Sequence, residues 1–323
     1  MTLHINENEV RQLLTMRMAI EAVETVSRKQ GAGTAIVHPR RRFELPAGGF
    51  FHYMAAMDTE AGYIAMKQYT AVKGHLRFLV PLYEIATGEH VALIEADYMG
   101  QLRTGAASGV ATKYLARENS KVAAIIGSGG QARTQLEAVA AVRKLQTARV
   151  YGRDPERCMK FATEMSQRLG FPVFPAESAV EAARGADIIT TATTSAKPVL
   201  TGADLQAGVH INAIGANHAN KRELDDSAIA KADVVFVDSL AQSKQEAGDL
   251  IQPFANQAGR WEKVHELADL VSAKAAGRSS EAQITLFKSN GIAAWDLAVA
   301  IVVFKLASEK HLGRELPFYA TSS

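Results

Sequence analysis

At 323 residues the chain is longer than one hydrophobic core comfortably serves, so two domains are expected. Its 36 basic and 34 acidic residues leave a formal charge of only +2, which argues against a nucleic-acid binder. The single cysteine, Cys158, excludes an intrachain disulfide framework and fits a reducing compartment.

Thr15 reads as the N-cap of a first helix that runs to near Lys29, with Gly31 beyond its end. Strand-like runs follow, one holding the triplet Arg40-Arg41-Arg42 and another holding Lys67. By alternation alone Lys67 falls on a polar face with no further role. The segment from Asp97 to Leu115 is helix-compatible and rich in small residues, and in it Arg103 has the fork geometry to hold a carboxylate or phosphate. This first half is α/β without a nucleotide signature.

The pattern becomes regular after Ser120. Val122–Ile126 is an apolar strand that ends in Gly127-Ser-Gly129-Gly130-Gln131-Ala132 and leads into a helix-patterned stretch from Thr134 to Leu145. In such a unit Gly127 permits the tight turn, Gly129 lets the backbone approach a pyrophosphate, and Ala132 allows close helix–sheet packing. A strand at 148–151 arrives about twenty residues after the first glycine, where a ribose-reading residue is expected. There the sequence is Gly152-Arg153-Asp154. Arg153 suits a 2′-phosphate, while Asp154 keeps NAD open but also suits helix capping, so NAD versus NADP stays unresolved.

Asp154-Pro155 opens a helix to Leu169 with Gly170 after it. Strands are expected at 187–191, 209–214 and 233–237, which completes a doubly wound parallel sheet of Rossmann type. The tail from Gly291 to Glu309 reads as an amphipathic helix that returns to pack on the first domain or forms a subunit interface. The expected division is therefore 1–118 with 297–323 as an α/β substrate-binding and dimerisation domain, and 119–296 as the dinucleotide domain. No His, Cys and carboxylate group has metal-ligand spacing, and no apolar run is long enough to span a membrane, so a cytoplasmic protein is expected.

Several separated blocks, in order, resemble the ornithine cyclodeaminase and mu-crystallin family. They are Pro39-Arg-Arg41, Met66-Lys67, Leu102-Arg103-Thr104-Gly-Ala-Ala, Gly127-Ser-Gly129, Asn212-Ala-Ile-Gly215-Ala-Asn217, Glu223-Leu-Asp225, Glu246-Ala-Gly248-Asp249 and Phe287-Lys-Ser289-Asn-Gly291. The resemblance covers nearly the whole chain. It implies a homodimer with a nicotinamide cofactor in the second domain, received by Thr104, the Gly127–Ala132 turn, Arg153 or Asp154, Ser289 and Gly291. It also implies an amino or imino acid carboxylate surrounded by Arg41, Lys67 and Arg103, with Lys67 near the nitrogen and His52 close by.

Asn217 departs from the family pattern. The cyclodeaminases carry an aspartate there for proton transfer, and asparagine does not titrate. That disfavours ring closure with loss of ammonia and favours the branch that resembles ketimine reductases, with Asn217 orienting the reacting end. Asp225 or Asp226 could stand in for the missing acid, although both more simply cap a helix. The expected activity is NAD(P)H-dependent reduction of a small α-imino acid to the L-amino acid. Iminosuccinate is one candidate substrate, its second carboxylate received by Arg40, Arg42 or His52. Alanine dehydrogenase, ornithine cyclodeaminase and a non-catalytic binding protein of the mu-crystallin kind are the alternatives.

Overall fold

The computed structural model describes residues 1–46 and 48–318, so the last five residues of the expected first domain lie outside them. The chain begins with β1 (Thr2–Ile5), α1 (Glu7–Leu13) and α2 (Met16–Ala32). Five strands follow: β2 (Ala35–Glu44), β3 (Phe50–Asp58), β4 (Tyr63–Val72), β5 (His75–Glu84) and β6 (His90–Glu95). Next come α3 (Asp97–Leu115), β7 (Val122–Ile126), α4 (Gly130–Val142), β8 (Thr147–Tyr151), α5 (Pro155–Leu169), β9 (Val173–Pro175), α6 (Ala179–Ala183), β10 (Ile188–Thr191) and β11 (His210–Ala213). The remainder is α7 (Asp226–Lys231), β12 (Val234–Val237), α8 (Leu240–Glu246), α9 (Gly248–Ala255), β13 (Val264–Glu266), α10 (Leu267–Val271), β14 (Thr285–Lys288), α11 (Ala293–Glu309) and β15 (Arg314–Leu316).

Two compact units result: Met1–Arg103 with the chain from Ile292 onward, and Thr104–Gly291. The sequence placed the first junction at 118/119 because the nucleotide-type strand starts just after it. The unit changes earlier, inside α3, since a helix rich in alanine and glycine gives no local sign of where its packing partners change.

In the first unit seven strands run in the order β15-β1-β6-β5-β4-β3-β2, antiparallel except for the β1–β6 pair. Helices α11 and α2 pack on this sheet and on each other. Thr15 caps α2 as expected, but the helix continues through Gly31 and stops at Gly33, which takes the left-handed conformation at φ 84°. Gly33 can adopt that φ without a Cβ clash, so it ends the helix. The expected amphipathic tail is instead buried on nearly every face from Ala293 to Ile301, so α11 is a core helix of this unit.

The second unit is an eight-stranded, all-parallel sheet in the order β13-β12-β14-β11-β10-β7-β8-β9. From β7 the chain moves outward through β8 and β9, then returns to β10 on the other side, which makes the β7/β10 edge the topological switch point. Small Ala132 is fully buried among Ala123, Ile125, Leu136 and Val150, so α4 lies close on the sheet. The capped ends of α5 match expectation: Asp154 is the N-cap, Pro155 the first residue, and Gly170 the left-handed C-cap. Strands β9, β13 and β14 were not anticipated, being only three or four residues long. Helix α4 begins at Gly130 and stops at Val142, short of the patterned Leu145, because Arg143 turns extended. Among the described residues no helix is long and apolar enough to cross a membrane.

Candidate active site

In the second unit, Gly127 takes φ 122°, and a Cβ there would stand 2.4 Å from the Ala192 carbonyl oxygen, so only glycine fits this turn. Gly129 meets nothing within 4 Å, which leaves the backbone open to a ligand. It is the N-cap of α4 and supplies no capping hydrogen bond, so the helix presents its first N–H groups with the positive end of its dipole. Gln131 adds a buried Oε1 without a hydrogen-bond partner. An anionic pyrophosphate matches the N–H donor set. Arg133, which the motif did not single out, braces the turn by donating to the Ser128 and Gly129 carbonyls, 3.1 Å each, while paired with Glu164.

At the end of β8 a Cβ on Gly152 would crowd Ser128 Oγ at 2.9 Å and Cys158 Sγ at 3.1 Å. The Asp154 carboxylate accepts from the Glu156 and Arg157 amides, the capping role, and Arg153 is exposed beside it. Ser289 and Gly291 follow β14 in a loop tied to Asp238, whose Oδ2 accepts from Ser289 Oγ and from the amides of Asn290 and Gly291. Thr104 is buried in α3.

Asn217 is half-buried in the loop after β11. Beneath that loop lies a buried charge network that the sequence reading did not assign. The Glu223 carboxylate accepts from the amides of Thr193 and Gly215, 2.7 Å each, and from Thr191 Oγ1 at 2.9 Å. Asp249 accepts from the amides of Glu223 and Leu224, and Lys288 Nζ lies 3.1 Å from it while donating to the Ala216 carbonyl. Burial and the neighbouring Asp249 push the Glu223 carboxyl up, opposed by Lys288 and by the Thr193 hydrogen bonds. The network ties the ends of β10, β11 and β14 to one another. Asp225 caps α7, and Asp226 pairs with Arg222, the structural roles the sequence suggested for them.

In the first unit the strand pleat sorts the side chains. Directly opposed residues share a face, so His52 on β3 shares one with Tyr69 on β4 and Phe78 on β5, and Met54 shares it with Lys67. Arg42 opposes His52 and belongs to this face, while Arg40 lies in the irregular stretch between His38 and Arg41. Arg41 opposes Tyr53 and points to the other side. Of the two, Arg40 is the one that acts electrostatically on Lys67. The register shift between His38 and Arg41 defeats an assignment by spacing alone. Arg40 is half-buried, whereas Arg41 is exposed.

Lys67 is not on a solvated face. It is 3% exposed, and its Nζ lies 2.8 Å from Asp296 Oδ1. Arg103 donates through Nε to the same oxygen at 3.1 Å. Gly100, one turn before Arg103 on α3, leaves room for the ammonium, since a Cβ there would be 2.9 Å from Lys67 Nζ. The Phe78 ring lies 5.0 Å from Nζ, and Trp295 lies 6.0 Å from the Arg103 guanidinium. Arg103 Nη1 and Asp296 Oδ2 are buried without hydrogen-bond partners. Burial, then Arg103, lowers the Lys67 ammonium to about 8 against the opposing pull of Asp296, with Arg40 lowering it further. His52 is buried, its ring stacked 4.6 Å from Tyr69. Sequence reasoning missed Asp296. A lone carboxylate in the apolar run Ala293–Val303 was the available signal.

A Rossmann-type parallel sheet with a glycine turn, accompanied by a mixed-sheet unit holding a buried cationic cluster, defines a two-unit α/β protein of the dinucleotide-binding class. The ornithine cyclodeaminase/mu-crystallin family matches residues 2–311, and the chain belongs to that family. A Delta(1)-pyrroline-2-carboxylate reductase of Bacillus cereus is 42% identical over 241 residues, 74% of each chain. Among solved structures, the Thermococcus litoralis Delta(1)-pyrroline-2-carboxylate reductase in complex with NADH and L-proline superposes with TM-score 0.94 at 37% identity, covering 98% of this chain and all of that one. An archaeal alanine dehydrogenase dimer with bound NAD gives 0.93 at 35% identity, covering 98% of this chain and 99% of that one.

Proposed function

We propose that the protein reduces a cyclic α-imino acid of the pyrroline-2-carboxylate kind to the L-amino acid, using NADH or NADPH, and works as a homodimer. The observation that carries this reading is the buried pair Lys67 and Arg103 with half-buried Arg40 acting on Lys67, answered among those groups by one carboxylate, Asp296. Such a cluster is built for an anion, and Arg103 Nη1 is a donor in want of an acceptor. The neighbouring face of Met54, Tyr69 and Phe78 suits a compact apolar ring.

The glycine turn, Gln131 and the Ser289–Gly291 loop would hold the dinucleotide, which when bound supplies hydride. Arg103 and Arg40 fix the carboxylate, which orients the C=N bond. Lys67 gives the imine nitrogen its proton, because an ammonium of about 8 is protonated at neutral pH yet yields its proton readily. The nitrogen keeps that proton, the carbon is left electrophilic toward the hydride a bound dinucleotide would supply, and Lys67 recovers its own proton from water. A second carboxylate, as in iminosuccinate, would fall to Arg42, which Glu44 at 3.4 Å and the Phe50 ring already engage, or to His52, which stacks on Tyr69.

The test is consumption of NADH and NADPH, each supplied with pyrroline-2-carboxylate, iminosuccinate, pyruvate plus ammonia, or ornithine. The reading requires the cyclic imine to give the highest kcat/KM, by about tenfold or more. Faster turnover of iminosuccinate or pyruvate, or proline from ornithine without net cofactor use, refutes it.

A further inference from the structure

We propose that Asp296 is a positioning residue that keeps Lys67 charged and aimed, and holds Arg103 beside it, while the substrate carboxylate is absent. The inference rests on the reading of Lys67 as the proton donor. Its geometric basis is that one oxygen, Oδ1, takes both Lys67 Nζ at 2.8 Å and Arg103 Nε at 3.1 Å, inside a cluster where all three side chains are almost completely buried. Two buried cations this close repel each other, and the shared oxygen is what makes their approach tolerable.

The spare atoms extend the argument. Oδ2 of Asp296 and Nη1 of Arg103 are both buried and unpartnered. A structural ion pair would close both by forming the two-pronged guanidinium–carboxylate contact. Here the guanidinium engages Asp296 through Nε and keeps a donor in reserve, so an incoming carboxylate meets Arg103 without first displacing Asp296.

Other charged groups near the cluster do not replace Asp296. On β2, Arg40 and Arg42 carry the wrong sign. On β3, His52 is stacked on Tyr69, and Asp58 is bound to Lys29 of α2 at 2.8 Å. The facing residues of β5, namely Phe78, Val80 and Leu82, are uncharged. On α3, Arg103 adds positive charge, and Asp97 in the first turn is engaged by the Phe78 amide at 3.2 Å. Removing the Asp296 charge therefore leaves Arg103 and Arg40 as the charges acting on Lys67, and its ammonium must deprotonate at lower pH.

The experiment is the pH profile of kcat/KM for imine reduction in the wild type and in Asp296→Asn, with Asp296→Ser as a second variant should the first not fold. Circular dichroism and NADH affinity establish folding. The basic limb of the wild type is expected near the Lys67 value of about 8 and should move down by about one pH unit or more in the variant. A limb that stays in place while the rate falls shows a merely structural role and overturns the proposal. Lys67→Met separates the two ideas. If it retains the rate and the limb, the reading of Lys67 fails. If it abolishes the rate while Asp296→Asn leaves the limb fixed, only the Asp296 proposal fails.

Discussion

Lys288→Met tests whether the network beneath the Asn217 loop is as coupled as its geometry implies. The ammonium is fully buried, 3.1 Å from Asp249 Oδ2 and 3.4 Å from the Ala213 carbonyl, with a further bond to the Ala216 carbonyl. Methionine fills the space but leaves Asp249 and Glu223 without their cation and two carbonyls without a donor. Breaking a buried pair from one side costs about 3–5 kcal/mol. For a unit of this size each kcal/mol lowers Tm by about 2–4 °C, so thermal unfolding followed by circular dichroism should show a fall of about 10 °C. Adding Asp249→Asn to that variant should recover part of the loss. The neutral amide oxygen still accepts from the Glu223 and Leu224 amides, whereas the stranded charge is gone. A loss below about 1 kcal/mol, or additive single and double variants, would refute the coupling.

Gly100→Ala separates stability from activity. Alanine favours a helix interior by roughly 0.5–1 kcal/mol over glycine, yet the new Cβ would stand 2.9 Å from Lys67 Nζ and push the ammonium aside. Tm should hold or rise slightly while imine reduction drops by about tenfold or more; full activity would show that the position of Nζ is unimportant. His210 predicts a pH dependence of stability. Burial, then Arg278, drops it to about 3, so the native state keeps it neutral and the unfolded chain protonates it near 6.5. Its contribution is complete above 6.5 and is lost as pH falls toward 3, at about 1.4 kcal/mol per pH unit. Unfolding midpoints between about pH 7 and about pH 4.5 should decline less steeply in His210→Gln than in the wild type, and parallel curves would contradict the assignment.

The two units were unequally legible for a physical reason. The glycine turn, the Asp154 cap and Gly170 are local devices, in which the residue and its cause lie within a few positions. The cationic cluster is assembled from β2, β4, α3 and α11, whose contacts span up to 229 residues of sequence. The family resemblance pointed to Lys67, and Arg103 was also suggested by its fork of donors, but neither could allow for the register shift between His38 and Arg41. Glu223, Asp249 and Lys288 stood in quoted motifs, yet nothing in their spacing indicated that they meet.

The two buried charge clusters differ in what they leave over, and that difference argues for their separate roles. In the second unit the Glu223 carboxylate accepts from three donors, and Asp249 accepts from two backbone amides besides facing Lys288. Most of these partners are main-chain amides, as expected of a brace, and Asp249 Oδ2, which has no hydrogen bond, faces the Lys288 ammonium at 3.1 Å. In the first unit Lys67 and Arg103 share one oxygen, Arg40 adds further positive charge, and a donor and an acceptor remain unpaired. Burying such a surplus destabilises the folded chain unless something compensates. A small carboxylate supplies the missing negative charge and an acceptor for Arg103 Nη1, so the defect in the cluster becomes affinity for the substrate.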